Sequence, residues 1–406
     1  MSFVVDLSIF RRNRNFTFLF IGQFVSLLGT MITSVALPYQ IYSLTHSTLM
    51  VGLLSLAQLL PLLVTALIGG VFADRYHRRL LLLIAESVLA VGSLMLALNA
   101  NLASPQIWAM FIVSAIMSGF NGLHRPALDS IVQQIVTKKD LGTVSSVGTF
   151  KVSFCMIAGP ALGGLIIAKY GIVATYLTDV ASFLMSLTAL ILMTDIPKPK
   201  TTIDETTLRA LRRGFNYALS RQELIGTYLV DFIAMIFGMP TALFPAIAQS
   251  FGGAEVLGIL YASPAIGALF VSFFSEWMRG IKYHGRAIAI AAILWGVSIV
   301  GFGLSTNFKL AIFFMALAGG FDAISGIFRG TMWNETIPNE LRGRMAGIEM
   351  ISYLSGPRMG DTEAGLVAAA FGVTASVVSG GVLCVVGVAA CCYFLPVFWR
   401  YRSEET

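Results

Sequence analysis

The chain has 406 residues, 56% of them apolar and only 12% charged, with a net charge of +6. A soluble domain carries about 25% charged residues, so this composition excludes a water-soluble globular protein and points to one built for a bilayer. Four cysteines (Cys155, Cys384, Cys391, Cys392) all fall in apolar runs, without disulfide or metal-ligand spacing.

A helix needs roughly 20 mostly apolar residues to cross the hydrocarbon core. Twelve such runs follow one another at 16–42, 49–73, 80–99, 105–124, 141–168, 172–193, 223–248, 254–278, 287–304, 308–328, 345–370 and 373–398. The first fifteen residues are polar, with Asp6, Arg11, Arg12 and Arg14, and lack the short apolar segment and cleavage site of a removable signal peptide. With a cytoplasmic N-terminus, only Lys169 and Lys309 of the 27 Lys and Arg reach outer loops, while Lys151 and Arg358 lie inside spans. That bias places both termini in the cytoplasm. The basic excess therefore faces anionic lipid, and nucleic acid is not an expected partner.

Between spans two and three lies the most informative segment, Gly69-Gly70-Val71-Phe72-Ala73-Asp74-Arg75-Tyr76-His77-Arg78-Arg79, read as a short wet loop between two membrane crossings. Span five carries Cys155, Gly159, Pro160, Gly163 and Gly164. Glycines there let a neighbouring helix approach, and the proline removes one backbone hydrogen bond. The longest polar interruption, Asp195 to Gln222, opens with Pro197-Lys198-Pro199-Lys200 and continues as a surface helix. It divides the chain into a six-helix bundle over 1–194, a cytoplasmic linker over 195–222 and a second six-helix bundle over 223–406.

The two halves repeat. Gly52 matches Gly258, Gly122 and Arg125 match Gly326 and Arg329, Asp140-Leu141 matches Glu340-Leu341, and Gly159-Pro160 matches Gly356-Pro357, in the same order and at slowly drifting offset. The expected fold is all-α and polytopic, with twelve transmembrane helices as two six-helix pseudo-repeats. Repeats of this kind are the usual build of alternating-access transporters.

The segment with Gly70, Asp74, Arg75, Arg78 and Arg79 resembles the signature of the major facilitator superfamily between spans two and three. That resemblance implies a conformational latch in which the basic residues pair with an acid near the end of span four, here Asp129. The glycine–proline run of span five resembles the motif of drug/proton antiporters in that superfamily. Pro38-Tyr39-Gln40-Ile41, Thr45-His46-Ser47-Thr48, Val51-Gly52-Leu53 and Leu341-Arg342-Gly343-Arg344-Met345-Ala346-Gly347, with Gly360-Asp361, resemble its enterobactin-exporter-like branch, which also holds multidrug efflux proteins. The resemblance implies an exporter of the bacterial inner membrane that acts as a monomer on a small molecule, siderophore or drug.

An ionisable group at mid-bilayer costs at least ~2.5–3.5 kcal/mol, so each needs a reason. Glu86 and Asp179 fall on supporting spans and read as structural. Asp231 and Asp322, on spans that the resemblance places beside the cavity, are the candidate proton carriers, with a structural ion pair to Arg329 as the alternative for Asp322. Arg358 and Asp361 are three residues apart on one helix face and can pair directly, as a gate, an anion contact or a packing pair. Lys151 is a candidate for an anionic substrate, and Gln23 and Asn121 are further polar candidates. No phosphate-binding glycine loop is present, so ATP is not the expected energy source. His46, His77, His124 and His284 sit at loops or span ends without ligand spacing, so no metal, cofactor or catalytic cluster is expected.

Overall fold

The computed structural model describes residues 8–194, 215–338 and 341–403, and within its helices leaves the side chains at 70, 71, 73–75, 342–344, 346–348, 350 and 351 outside that description. Among the described residues the only regular structure is helical. The helices are α1 (Ile9–Arg12), α2 (Arg14–Thr45), α3 (Thr48–Arg75), α4 (Arg78–Ala100), α5 (Ile107–Ile135) and α6 (Leu141–Leu192). They continue as α7 (Gln222–Phe237), α8 (Phe244–Phe251), α9 (Ala254–Phe273), α10 (His284–Gly303), α11 (Phe308–Thr336), α12 (Arg342–Phe371), α13 (Val373–Phe394) and α14 (Pro396–Arg400).

Ten of the helical segments are long and apolar enough to cross a membrane. Helix α6 is counted once among them but runs 52 residues, about 80 Å at ~1.5 Å per residue, more than twice a ~30 Å hydrocarbon core. Gly171 breaks it with φ 81°, a left-handed conformation that glycine adopts without a Cβ clash. Spans five and six are thus two halves of α6. Helix α12 has 30 residues and falls short on apolarity because it carries Glu349, Arg358, Asp361 and Glu363. With those two, each of the twelve expected spans has a helix.

Three boundaries differ from the sequence reading. The charged segment after span two is mostly helical, because α3 continues to Arg75 and only Tyr76 and His77 separate it from α4. Span four is longer than expected, and α5 carries His124 well inside the helix rather than at its end. Span seven is interrupted: α7 stops at Phe237, Gly238 to Pro240 are not helical, and a 3-10 turn over Thr241–Leu243 leads into α8. Pro240 cannot donate a backbone hydrogen bond, which ends the regular ladder there. The expected surface helix lies mostly outside the described residues; its end, 215–219, is helical.

By packing, the chain forms two units, Met1–Ile41 with Ala57–Thr202 and Tyr42–Leu56 with Ile203–Thr406. The segment joining α2 to α3 therefore groups with the second unit, although in sequence it lies inside the first six-helix block. In the first unit α4 packs on α5 and α6, around a core of Leu19, Leu82, Ala127, Ile131, Leu190 and Met193. In the second, α10 packs on α11 and α13, α9 on α11, and α7 on α12 and α13. Lipid tails are as apolar as leucine, so close backbone approach rather than water exclusion holds such helices together. A β-carbon at Gly163 would come within 2.8 Å of the Ile32 carbonyl oxygen, and one at Gly319 would collide with the Pro264 carbonyl. The chain end is also strapped down: Tyr401 and Ser403 donate to the Glu335 carboxylate at 2.9 and 2.7 Å.

Candidate functional site

Three polar clusters sit within otherwise apolar helices. The first belongs to the second unit. Arg329 on α11 forms an ion pair with Asp231 on α7, and its other terminal nitrogen is 3.7 Å from Asp322. Asp322 lies seven residues before Arg329, about 10 Å along the axis, a gap the long guanidinium side chain spans. Arg329 and Asp231 are about one-tenth exposed at their side chains (11% and 12%), whereas Asp322 is 40% exposed. One guanidinium thus contacts two carboxylates, tightly held by one and loosely by the other, while the charge of Glu349 on α12 also acts on it. Both acids lie in the second unit, and the sequence reading, which set Arg329 against Asp322 alone, missed that it binds Asp231. The signal available was an arginine at membrane depth on a span that also carries an acid, since a charge there needs a partner.

The second cluster centres on Asp361 of α12. The expected direct pair with Arg358 does not form; among the described residues Asp361 enters no ion pair, and the Arg358 charge acts on it from farther away. Its carboxylate instead accepts hydrogen bonds from Ser55 Oγ at 2.8 Å, from the Ala242 backbone N–H at 2.8 Å and from Thr241 Oγ1. The physical reason is the interruption of span seven, which frees backbone donors at membrane depth that need an acceptor. Thr362 on the next position of α12 donates to the Gly52 carbonyl at 3.2 Å, and a β-carbon at Gly52 would come within 2.8 Å of the Asp361 carbonyl oxygen.

The third cluster is in the first unit. Gln23 on α2, expected as a substrate contact, is buried and donates to Glu86 on α4 and, at 3.3 Å, to Ser186 on α6. Its amide is used up in helix packing. His124 on α5 also reaches Glu86, at 3.2 Å. Asp179 accepts from Ser93 at 2.6 Å and from Ser182 at 3.4 Å, so both acids of the supporting spans bind neighbouring helices.

Elsewhere in the first unit, Asn121 and Asp129 are exposed on α5, with Arg125 between them on the same face. Lys151 is half-buried on α6, with Nζ 5.8 Å from the centre of the Phe20 ring. Phe24 and Phe154 stack beside it at 5.5 Å. Among the described residues no carboxylate lies within salt-bridge distance of Lys151, and Asp129 is the acid whose charge acts on it. Among the described residues Asp129 enters no ion pair with Arg78 or Arg79. Arg78 donates to the Ser130 carbonyl at 3.3 Å and Arg79 to the Ile191 carbonyl at 2.7 Å. Arg79 thereby sits at the C-terminal end of α6, where orphan carbonyls attract cations. Gly70 and the side chains of Asp74 and Arg75 lie outside the described residues. The span-five motif is a packing face: Gly159 and Gly163 lie against Met31 and Ile32 of α2, and Pro160 and Gly164 are buried.

Comparison with known proteins places these clusters in context. The profile of the family described as "Transmembrane secretion effector" matches residues 7–401. The enterobactin exporter EntS of Shigella flexneri is 27% identical over 389 residues, covering 95% of this chain and 93% of its own. Among solved structures, a POT family transporter in complex with 5-aminolevulinic acid superposes with a TM-score of 0.75 at 13% identity, over 95% of this chain and 97% of its own. The nucleoside transporter NupG (D323A mutant) does so with 0.74 at 15% identity, over 93% and 98%. At those identities the structures speak for the fold alone, and that fold is the twelve-helix transporter fold expected from the repeat. Each of these proteins is a transporter and none an enzyme.

Proposed function

We propose that this chain, which belongs to the transmembrane secretion effector family of the major facilitator superfamily, is a secondary-active exporter that moves a small, siderophore-like organic molecule out of the cytoplasm in exchange for protons. That it is a multi-pass membrane transporter follows from its family and fold. The direction, the substrate and the coupling ion are our reading, as are a bacterial inner-membrane location with cytoplasmic termini and a monomeric state.

The observation that carries the coupling is the two acids facing one guanidinium in the second unit. With both carboxylates ionised, Arg329 and its two acids hold an excess negative charge in a poorly solvated place, and a proton on one acid removes it. Asp322 is the better carrier: it is the more exposed and the more loosely held, while Asp231 serves as the fixed counter-ion of Arg329. The half-buried Lys151 beside Phe20, Phe24 and Phe154 supports an anionic, aromatic substrate, since an ammonium and stacked rings together suit a catecholate. The alternative is a multidrug exporter of amphipathic cations, for which the exposed carboxylate of Asp322 is the favouring feature.

Accumulation in inside-out vesicles under an imposed acid-inside gradient separates the readings. Uptake of a catecholate siderophore that collapses with the gradient and is lost in D322N supports proton-coupled siderophore export. Uptake of a cationic dye alone moves the substrate to the alternative. Uptake of both probes that is indifferent to the gradient overturns the coupling.

A further inference from the structure

The Glu86 cluster has a feature that packing alone does not explain. Glu86 is fully buried on α4, eight residues past Arg78 and hence about 12 Å into the span. Both of its partners, the Gln23 amide and His124 Nε2, address the same oxygen, Oε1. The other oxygen, Oε2, is buried without a hydrogen-bond partner among the described residues. An ionised carboxylate at such depth normally collects several donors, and one left uncompensated is costly. A purely structural acid would be expected to use both oxygens.

The groups facing Glu86 are few. From α2 comes Gln23, from α6 Ser186 through Gln23, and from α5 His124, the one titratable group in contact among the described residues. The next acid on this side is Asp179, which binds Ser93 seven residues farther along α4. On α5, the neighbouring Arg125 is exposed. Charge balance then allows two low-cost forms, a neutral acid beside a neutral imidazole or a carboxylate beside an imidazolium, and both hold one proton. His124 is also the route out. Its side chain is 16% exposed while that of Glu86 is 0%, and it lies next to the face of α5 that bears Asn121, Arg125 and Asp129.

We propose that Glu86 and His124 share a single exchangeable proton and form a second proton-binding site, in the first unit, separate from Asp322. On release the proton leaves an imidazole nitrogen for water at the exposed side of His124. The pair then holds a carboxylate and a neutral imidazole, and its net charge falls from zero to minus one. Uptake reverses the step. Only the use of this proton in transport rests on the proton-coupled reading above.

The test uses the full-length chain in lipid membranes and no substrate. Infrared difference spectra between acid and alkaline buffer report the carbonyl band of a protonated carboxylic acid. One such band is expected to vanish in E86Q, and in H124Q it is expected to persist with its titration midpoint moved, because the proton is no longer shared. A wild-type band set unchanged by E86Q overturns the proposal, and so does an H124Q midpoint identical to that of the wild type. H124Q alters a partly exposed side chain and keeps the test alive if E86Q does not insert. In that event, magnetic resonance of isotope-labelled histidine in the wild-type chain reads whether His124 titrates. A transport pH profile that loses one proton's slope in both variants supports the same site from function, and one that keeps it places the site outside the transport cycle. Silent vesicles with a normal titration would count against the exporter reading and not against this site.

Discussion

Removing Arg329 is the most informative perturbation of the second unit. Asp231, about one-tenth exposed beside Arg329, loses its only described ion-pair partner in R329M. Breaking a buried pair by deleting one member costs about 3–5 kcal/mol, because the remaining charge is left uncompensated. The more exposed Asp322, at 3.7 Å, adds less than about 1 kcal/mol by the same reasoning. In lipid nanodiscs the melting temperature of R329M should therefore fall by roughly 5–10 °C. D322N should stay within a degree or two of the wild type while losing gradient-driven uptake. The double variant D231N/R329M removes both charges and should recover most of the loss, giving a coupling energy above about 2 kcal/mol in a double-mutant cycle. Stability of R329M equal to that of the wild type, or a double variant worse than the two singles added, would refute the assignment of Asp231 as the counter-ion and with it the argument that frees Asp322.

Three further outcomes follow from the geometry. G319A drives a methyl group into the Pro264 carbonyl and should destabilise by about 1–3 kcal/mol, read as a lowered melting temperature, whereas an alanine at Gly142, which meets nothing within 4 Å, should not. T241V removes one of the three hydrogen bonds to the Asp361 carboxylate and should cost about 1.5–3 kcal/mol, with S55A behaving alike and additivity failing between them because they share one acceptor. K151Q should weaken competition by a catecholate siderophore while leaving that by a cationic dye unchanged, and an equal loss for both would remove Lys151 from substrate selection.

The spans, their order and the two-fold repeat were legible because each depends on a run of apolar residues or on glycine and proline at fixed places, and both are local in sequence. The helix ends were less so. Asp74, Arg75 and Tyr76 read as a wet loop by polarity, yet α3 runs through Arg75, since polarity marks where a helix leaves the hydrocarbon and not where its hydrogen-bond ladder ends. The polar clusters were half legible. Charge at membrane depth picked out Asp231, Asp322, Lys151 and Asp361, but partners were hidden because they come from distant helices: Ser55 is 306 residues from Asp361, and Gln23 is 63 from Glu86. Where a partner was inferred from spacing, as with Arg358 for Asp361, a closer set of neutral donors won, since a broken helix offers hydrogen bonds without a second charge to desolvate. His124 was passed over for want of ligand spacing, because its partner lies on another helix.

The measurement that bears most directly on proton-coupled export is proton counting in proteoliposomes that hold the purified chain and a pH-sensitive dye in the lumen. When a catecholate siderophore is offered on the cytoplasmic face, the account predicts that the lumen becomes more alkaline as substrate enters, at a rate that disappears in D322N. Substrate entry at the wild-type rate with no change in luminal pH would contradict it.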